Sequence, residues 1–237
     1  MWRIVIWAMV VGVVCVFGSG AEAAERPNIL FVLIDDMGYG DLSGFAGEGA
    51  QARARTQHID RLGREGVRFS QFYVNAPICS PSRVALTTGQ YPGRWGITSY
   101  LDRREVNQRR GMKNWLDPNA PSLARMLAGA GYHTAHVGKW HMGGQRDVGD
   151  APRISKYGFA ASLTNFEGLG ERALPLFEPK PDGTPFNHGP TRMSGELGGG
   201  PIHWIPRHEV TQFFVDRAIK EIQAAERAGR PFYVNLW

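Results

Sequence analysis

Blocks of apolar and polar residues alternate along this chain in a way that predicts strands and helices in turn. A continuous apolar run over 28–34 is typical of a parallel strand that is buried on both faces. Further strands are predicted over 67–74, 132–138 and 232–237. The helices are predicted over 56–66, 80–89, 121–130 and 209–228. This alternation predicts an α/β fold, with a mainly parallel sheet and helices on both faces.

End signals and apolar stripes support the predicted helices. Thr56 and Ser80 are expected as N-caps, and Gly66 and Gly89 as stops. The expected buried stripe of the third helix comprises Leu123, Met126 and Leu127. The stripe of the fourth comprises Val210, Phe214, Ala218 and Ile222. Residues 142–207 are rich in glycine, proline and charge, so we expect mostly loops there, with short strands at most.

The first 23 residues predict a secretory signal rather than a part of the fold. Arg3 gives a positive start, and the apolar run over 4–17 is too short to span a membrane comfortably. Small residues at 21 and 23 suit signal peptidase, and an uncleaved anchor is the alternative interpretation. We therefore expect an exported chain, periplasmic or secreted, with no stable membrane insertion after cleavage.

Composition narrows the range of functions. The chain has 237 residues, of which 43% are hydrophobic and 21% charged, so wholesale disorder is excluded. The net charge of +5 is modest and scattered, which permits an anionic substrate but does not indicate nucleic acid as a partner. Signal cleavage leaves Cys79 as a single cysteine. It has no internal disulfide partner, so it is either inert or functional.

Two adjacent carboxylates, Asp35 and Asp36, directly follow the first predicted strand. Ligands of open α/β sheets bind at the carboxyl ends of the strands. Two acids at such an edge repel each other unless a cation lies between them, and oxygen ligands suit Ca²⁺ or Mg²⁺. The alternative is a turn in which aspartate caps a helix or a loop.

The segment 79–83 reads Cys-Ser-Pro-Ser-Arg and immediately precedes or opens a predicted helix. The positive end of that helix and the nearby Arg83 favour the thiolate of Cys79, and the same helix end suits an anion. A buried small residue before a helix is the alternative. Which interpretation applies depends on what else lies at the same edge of the sheet.

Lys139 and His141 follow the strand predicted over 132–138. In an extended segment, residues two apart point to the same side. A cation and an acid/base group together suit an anionic substrate that carries a leaving group. The alternative is an ordinary exposed lysine beside a structural histidine.

Taken in order, these motifs resemble the formylglycine-dependent sulfatases of the alkaline phosphatase-like superfamily. The matching segments are 26–41, 59–69, 79–89 and 138–141. The Cys-x-Pro-x-Arg pattern is highly specific when the other segments flank it. The resemblance covers about 26–143 strongly and 209–237 more loosely, and it implies that 24–237 is the N-terminal part of a sulfatase catalytic domain, truncated before its C-terminal part.

The resemblance also implies a reaction and a role for each site residue. A maturation enzyme that reads the motif would oxidise Cys79 to formylglycine, and the hydrated aldehyde would attack the sulfur of an aryl or carbohydrate sulfate ester. Asp35, Asp36 and the modified Cys79 would bind Ca²⁺. Arg83 would hold the formylglycine side chain, Lys139 would bind a sulfate oxygen, and His141 would contact the formylglycine hydroxyl.

Three alternatives stay open beside this arylsulfatase-like sulfuric ester hydrolase. Family members continue past a strand like 231–237 to a histidine, an Asp-Asn pair and a further lysine, which this sequence does not contain. The chain is therefore also interpretable as a truncated, inactive fragment. The others are a phosphodiesterase or phosphonate hydrolase of the same superfamily, and a protein that uses Cys79 unmodified. The expected partners are a sulfated small molecule or polysaccharide and the formylglycine-generating enzyme.

Overall fold

A computed structural model describes residues 26–44, 55–165, 167–176 and 198–237, and the predicted signal over 1–23 lies outside these residues. The described strands form one six-stranded parallel sheet. They are β1 (Ile29–Val32), β2 (His133–Gly138), β3 (Ala161–Thr164), β4 (Arg172–Leu176), β5 (Ile202–Pro206) and β6 (Phe232–Leu236). Their order across the sheet is β1-β6-β2-β3-β4-β5, so the last strand in sequence pairs between β1 and β2.

All four predicted helices are present. The helices are α1 (Gln57–Glu65), α2 (Cys79–Thr88), α3 (Arg104–Arg109), α4 (Leu123–Gly129) and α5 (Val210–Arg227). Short 3₁₀ helices cover Tyr39–Asp41, Pro92–Trp95, Ile154–Tyr157 and Arg207–Glu209. Helix α2 begins at Cys79, one residue before the predicted cap Ser80, and it ends at Gly89, whose φ of 67° is left-handed.

Helices cover both faces of the sheet. On one face, α2 and α4 adjoin a core that includes Val84, Tyr233 and Trp237. On the other, α5 packs Ala218 against a second core that includes Val234. Tyr233 and Val234 belong to opposite cores because successive side chains of a strand point to opposite faces. The predicted α/β fold with a mainly parallel sheet is thereby confirmed.

The first strand is an edge strand, and the prediction that both of its faces are buried is wrong. Leu30 and Val32 are 48% and 50% exposed, because the described residues leave one face of β1 open. Its other face, which includes Phe31, packs on the first core. The strand predicted over 67–74 is also wrong: this segment has no regular structure, and Phe72 is exposed.

The buried stripe predicted for α4 is wrong, and the region after β2 is more regular than expected. Leu123 and Met126 are exposed, whereas Ala124 is buried and Leu127 packs partly against the first core. Residues 142–207 contain β3, β4 and β5, which are short strands stabilised by their neighbours in the sheet rather than marked by a strong local pattern. Among the described residues, no helix combines the length and the apolar character needed to cross a membrane.

Candidate active site

A cleft of about 280 Å³ lies where the loop after β1 meets the start of α2, at the C-terminal edge of the sheet. Four of the six predicted site residues line it, namely Asp35, Asp36, Cys79 and Arg83. Lys139 follows β2 directly and reaches the same place through an ion pair with Asp35. The parallel strands explain this convergence, because their carboxyl ends all meet at one edge.

Cys79 is the first residue of α2 and is half-buried at the edge of the cleft. The start of the helix is fixed on both sides. The Oγ atom of Ser82 donates a hydrogen bond to the carbonyl of Ala76 at 2.5 Å, and the Oγ atom of buried Ser80 accepts one from the backbone N–H of Leu101 at 2.9 Å. These bonds fix the N-terminal end of α2, where Cys79 lies.

The carboxylate of Asp35 joins the two cations of the site. Its Oδ1 atom lies 3.1 Å from Nη2 of Arg83, and its Oδ2 atom accepts a hydrogen bond from Nζ of Lys139 at 3.0 Å. Partial burial alone would raise the pKa of Asp35, but the hydrogen bond from Lys139 and the charge of Arg83 outweigh it and lower the pKa. Asp35 is therefore ionised at neutral pH and keeps both cations in the cleft.

Arg83 is a buried cation at the base of the cleft, with only 1% of its surface exposed. Its Nη1 atom donates a hydrogen bond to the backbone carbonyl of Lys139 at 2.8 Å, and the guanidinium lies 5.5 Å from the ring centroid of Trp237. Its Nε atom has no hydrogen-bond partner among the described residues. A buried guanidinium with unused donors is suited to an anion.

Glu167, three residues after β3, closes the other side of the site. Its Oε2 atom lies 3.5 Å from Nζ of Lys139, and its Oε1 atom lies 3.5 Å from Nδ1 of His141. Its backbone carbonyl accepts a hydrogen bond from the backbone N–H of His141 at 2.9 Å. Lys139 therefore lies between two carboxylates, Asp35 and Glu167.

Burial and neighbouring charges set the protonation of this group. Burial alone would lower the pKa of Lys139, but Glu167 and Asp35 raise it above its usual value. Burial raises the pKa of Glu167, although Lys139 and Arg83 act in the opposite direction. Burial lowers the pKa of His141 to about 3, and the same two cations add to that shift. At neutral pH Lys139 is therefore charged and His141 is neutral.

The neutral imidazole of His141 has a defined tautomer. Its Nε2 atom lies 2.9 Å from the carbonyl oxygen of Leu101. Because a carbonyl only accepts, Nε2 carries the proton and Nδ1 faces Glu167. The φ of His141 is 50°, so the extended segment predicted for Lys139 and His141 is wrong, although both side chains meet at Glu167.

Uncommon backbone conformations are concentrated at the site. Asp36 and His141 have φ values of 59° and 50°, a left-handed conformation that costs about 1–3 kcal/mol for a residue other than glycine. Gly138 has a φ of 110°, and a Cβ there would overlap the carbonyl of Trp237. The glycine before Lys139 is thus required by the close approach of β6 to the end of β2.

Sequence reasoning named the residues that lie together but missed Glu167. Asp35, Arg83 and Lys139 are in direct contact, and Cys79 is near enough to Lys139 to contribute to its raised pKa. A charged residue just after a strand is the signal that marks such a position. That signal was not usable for Glu167, because no strand was predicted before it.

Calcium fits the donor chemistry of the site in part. Asp35 and Asp36 present carboxylate oxygens, the ligands that Ca²⁺ prefers, but a full shell takes about six to eight oxygens. Among the residues that the structure describes, no group of three or more histidine, cysteine, aspartate or glutamate side chains is placed to hold a metal ion. These residues therefore supply part of a calcium site, with the right kind of donor.

Comparison with known proteins identifies relatives along nearly the whole chain. The family model described as Sulfatase matches residues 27–236. Arylsulfatase G of Rattus norvegicus is 32% identical over 233 residues, which cover 92% of this chain and 42% of that protein. The N-acetylgalactosamine-6-sulfatase of Canis lupus familiaris is 30% identical over 240 residues, which cover 98% of this chain and 42% of that protein.

Solved structures with the same fold are also sulfatases or were solved with a saccharide bound. The crystal structure of Ps i-CgsB in complex with k-i-k-neocarrahexaose has a TM-score of 0.65 and 26% identity, covering 90% of this chain and 44% of that one. The PsFucS1 sulfatase from Pseudoalteromonas sp. has a TM-score of 0.61 and 28% identity, covering 91% of this chain and 44% of that one. The chain spans less than half the length of each of these four relatives. Because the family match runs from the start of β1 to the end of β6 and takes in every predicted site residue, this chain belongs to the sulfatase family.

Proposed function

We propose that the whole protein hydrolyses sulfate esters and that Cys79, converted to formylglycine, provides the attacking oxygen. The observation that carries this proposal is the convergence on one cleft of Cys79, the buried Arg83 and the ion pair between Asp35 and Lys139. A sulfate ester needs a nucleophile facing sulfur and fixed positive charge around its oxygens. The cleft offers both within the reach of one small anion.

The two cations would act together on the sulfate. Arg83 donates to the backbone carbonyl of Lys139, which joins α2 to the backbone from which Lys139 extends. The ammonium of Lys139 has three N–H donors, and with one directed at Asp35 and another towards Glu167 it retains a donor for a sulfate oxygen. The neutral His141 beside them would accept the proton of the remaining formylglycine hydroxyl, while the C–O bond to sulfate breaks and the aldehyde forms again.

Asp35, Asp36 and the modified Cys79 would hold Ca²⁺ at the mouth of the cleft. When bound, the ion would polarise the sulfate ester as a Lewis acid. Asp36 has no ion pair among the described residues, so its carboxylate is available, whereas Asp35 is shared with Arg83 and Lys139. We expect Ca²⁺ to raise the Tm of the whole protein, and Asp36→Asn to remove most of that rise.

Modification of Cys79 would precede folding. A maturation enzyme that reads Cys79, Pro81 and Arg83 needs access to all three side chains, yet Pro81 and Arg83 are buried in α2. We expect the predicted signal over 1–23 to direct export, so that the enzyme would meet an unfolded chain before or during export. Folded protein that carries an unmodified cysteine should therefore resist later conversion.

The substrate class that we favour is a sulfated saccharide, with aryl sulfates as assay substrates. A structural relative was solved with a neocarrahexaose bound, and another relative is named for N-acetylgalactosamine-6-sulfate chemistry. Both relatives support a carbohydrate sulfate ester. Contacts outside the cleft would select the position of the sulfate on the sugar.

The test uses the whole protein produced with and without a formylglycine-generating enzyme. We expect the mass of an aldehyde on the Cys79 peptide and hydrolysis of an aryl sulfate only in the first preparation, and no turnover in Cys79→Ala. Hydrolysis of a phosphate diester without hydrolysis of a sulfate ester would favour the phosphodiesterase alternative. Full activity from an unmodified, thiol-reactive Cys79 would contradict the proposed nucleophile.

A further inference from the structure

A buried carboxylate is an unexpected neighbour in a cleft that is built to receive an anion. The side chain of Glu167 is only 10% exposed, and its two oxygens face Lys139 and His141 at 3.5 Å each. Placing a negative charge here works against binding of sulfate. Burying this charge costs free energy. A contribution to the site that a neutral residue could not make would offset that cost.

Glu167 is the buried one of the two carboxylates that hold Lys139. Asp35 is 38% exposed in its side chain and also pairs with Arg83, so water and a second cation compete for it. Glu167 makes a second, separate contact with Lys139, with its Oε2 atom 3.5 Å from Nζ. The stem of a lysine has four rotatable bonds, and ordering it costs about 1.5–2 kcal/mol of side-chain entropy. Two anchors confine the ammonium group without using all three of its donors.

Glu167 also fixes the backbone of His141. Its backbone carbonyl accepts the backbone N–H of His141 at 2.9 Å, while Leu101 accepts the Nε2 proton of the ring. The Oε1 atom of Glu167 lies 3.5 Å from Nδ1, but both atoms are acceptors, so the carboxylate makes no hydrogen bond to the ring. Because His141 has a left-handed backbone, the backbone bond also keeps an unfavourable conformation in place.

A second glutamate in the same segment shows what a structural carboxylate looks like in this fold. Glu171 likewise bridges a histidine and a cation, but its hydrogen bonds are short: 2.9 Å to His203, and 2.7 and 3.0 Å to Arg217. At Glu167, by contrast, the Oε2 atom lies 3.5 Å from Nζ of Lys139 and has no hydrogen-bond partner among the described residues. A pair that is aligned but not yet closely bonded is typical of a catalytic site before its substrate binds.

We propose that Glu167 is a positioning residue, whose carboxylate aims the ammonium of Lys139 at the sulfate oxygens. This inference rests on the proposed function for its consequence, but its geometric part is testable without turnover. It assigns Glu167 to the anion-binding half of the site. Partners of this kind typically contribute about 10–100-fold when they orient a reacting group.

The test compares Glu167→Gln and Glu167→Ala with the matched control Glu171→Gln in the whole, matured protein. Glutamine keeps the shape and offers an amide N–H to Nδ1 of His141, but it removes the charge that holds Lys139. We therefore expect Glu167→Gln to raise KM for an aryl sulfate about tenfold with little change in kcat. Glu167→Ala should raise KM at least as much. Glu171→Gln should reduce stability and leave both constants unchanged.

One measurement does not depend on turnover. Binding of inorganic sulfate, followed by calorimetry, should weaken about tenfold in both Glu167 variants and not in Glu171→Gln.

These readouts separate the possible failures. A wild-type protein that hydrolyses no sulfate ester contradicts the proposed function, and sulfate binding then decides the role of Glu167 alone. Wild-type kcat, KM and sulfate affinity in both Glu167 variants would make Glu167 merely structural and overturn the proposal. If Glu167→Ala does not fold, the change of KM without a change of kcat in Glu167→Gln carries the test.

Discussion

Replacing Arg83 with methionine measures whether a buried, incompletely bonded cation stabilises this fold. Methionine has a similar length and keeps the packing beneath Trp237, but it removes the charge and every donor. The hydrogen bond to the carbonyl of Lys139 is 2.8 Å long, and a bond from a charged donor contributes about 1.5–3 kcal/mol. The contact of the guanidinium with Trp237 adds about 1 kcal/mol.

Two further effects act in opposite directions. The pair with Asp35 contributes at most about 1 kcal/mol, because the side chain of Asp35 is 38% exposed and water screens it. Against these gains, the Nε atom of Arg83 is buried without a partner among the described residues, which costs about 1–3 kcal/mol in the wild type. The balance predicts that Arg83→Met lowers the free energy of unfolding by about 2 kcal/mol.

The assay is denaturant unfolding at constant pH, with Arg230→Met as the matched control. Arg230 likewise donates hydrogen bonds to the backbone, to two carbonyls at 2.9 and 2.7 Å, but unlike Arg83 it is exposed. Because water can replace these bonds, we expect Arg230→Met to lower the free energy of unfolding by only about 0–1 kcal/mol. The midpoint of Arg83→Met should fall while the m-value stays unchanged. A midpoint equal to or above that of the wild type would refute the reasoning, because the desolvation cost of the cation would then exceed its bonds.

Three further substitutions test the packing and the charges around the site. Gly138→Ala should prevent normal folding, seen as loss of soluble protein, because its Cβ would overlap the carbonyl of Trp237 at a left-handed position. Tyr157→Phe should lower the free energy of unfolding by about 1–2 kcal/mol in denaturant titrations, since it leaves the carbonyl of Leu116 without its 2.5 Å hydrogen bond. Hydrogen bonds from an arginine and a histidine lower the pKa of Glu171, so its contribution is present above the unfolded pKa and is lost as pH falls through the folded one. Glu171→Gln should therefore lose stability less steeply than the wild type in acid, and parallel acid unfolding curves would contradict this.

The local sequence pattern was sufficient to predict the helices and strands whose stability depends mainly on nearby residues. The helix over 79–88 carries its own proline at the start and its glycine at the end, and the structure has it within one residue of the prediction. The last helix, Val210–Arg227, has a continuous apolar stripe and is confirmed in the same way. The strand Phe232–Leu236 is an apolar run that is buried between two neighbours, so its pattern and its position agree.

The errors arose where neighbours distant in sequence decide the outcome. The run over 28–34 reads as a doubly buried strand, but its burial depends on which strands lie beside it, and it pairs on one side only. The stripe of α4 failed because Ala124, and not Met126, faces the sheet. Glu167 was missed because the strand before it has no strong local pattern, and its contact with Lys139 depends on β3 lying beside β2. The order of the strands depends on contacts across the whole fold, and a single sequence does not reveal those contacts.

Lys139 shows why this site depends on the sheet as a whole. Its backbone N–H donates to the carbonyl of Trp237 at 2.9 Å, which continues the ladder between β2 and β6, and its own carbonyl accepts from Arg83 of α2. Its side chain lies between Asp35, after β1, and Glu167, after β3. Four elements from distant parts of the sequence therefore meet at one lysine. A shift of any one strand along its neighbour would move the ammonium group relative to Cys79, so correct register in the sheet and correct geometry in the site amount to the same requirement.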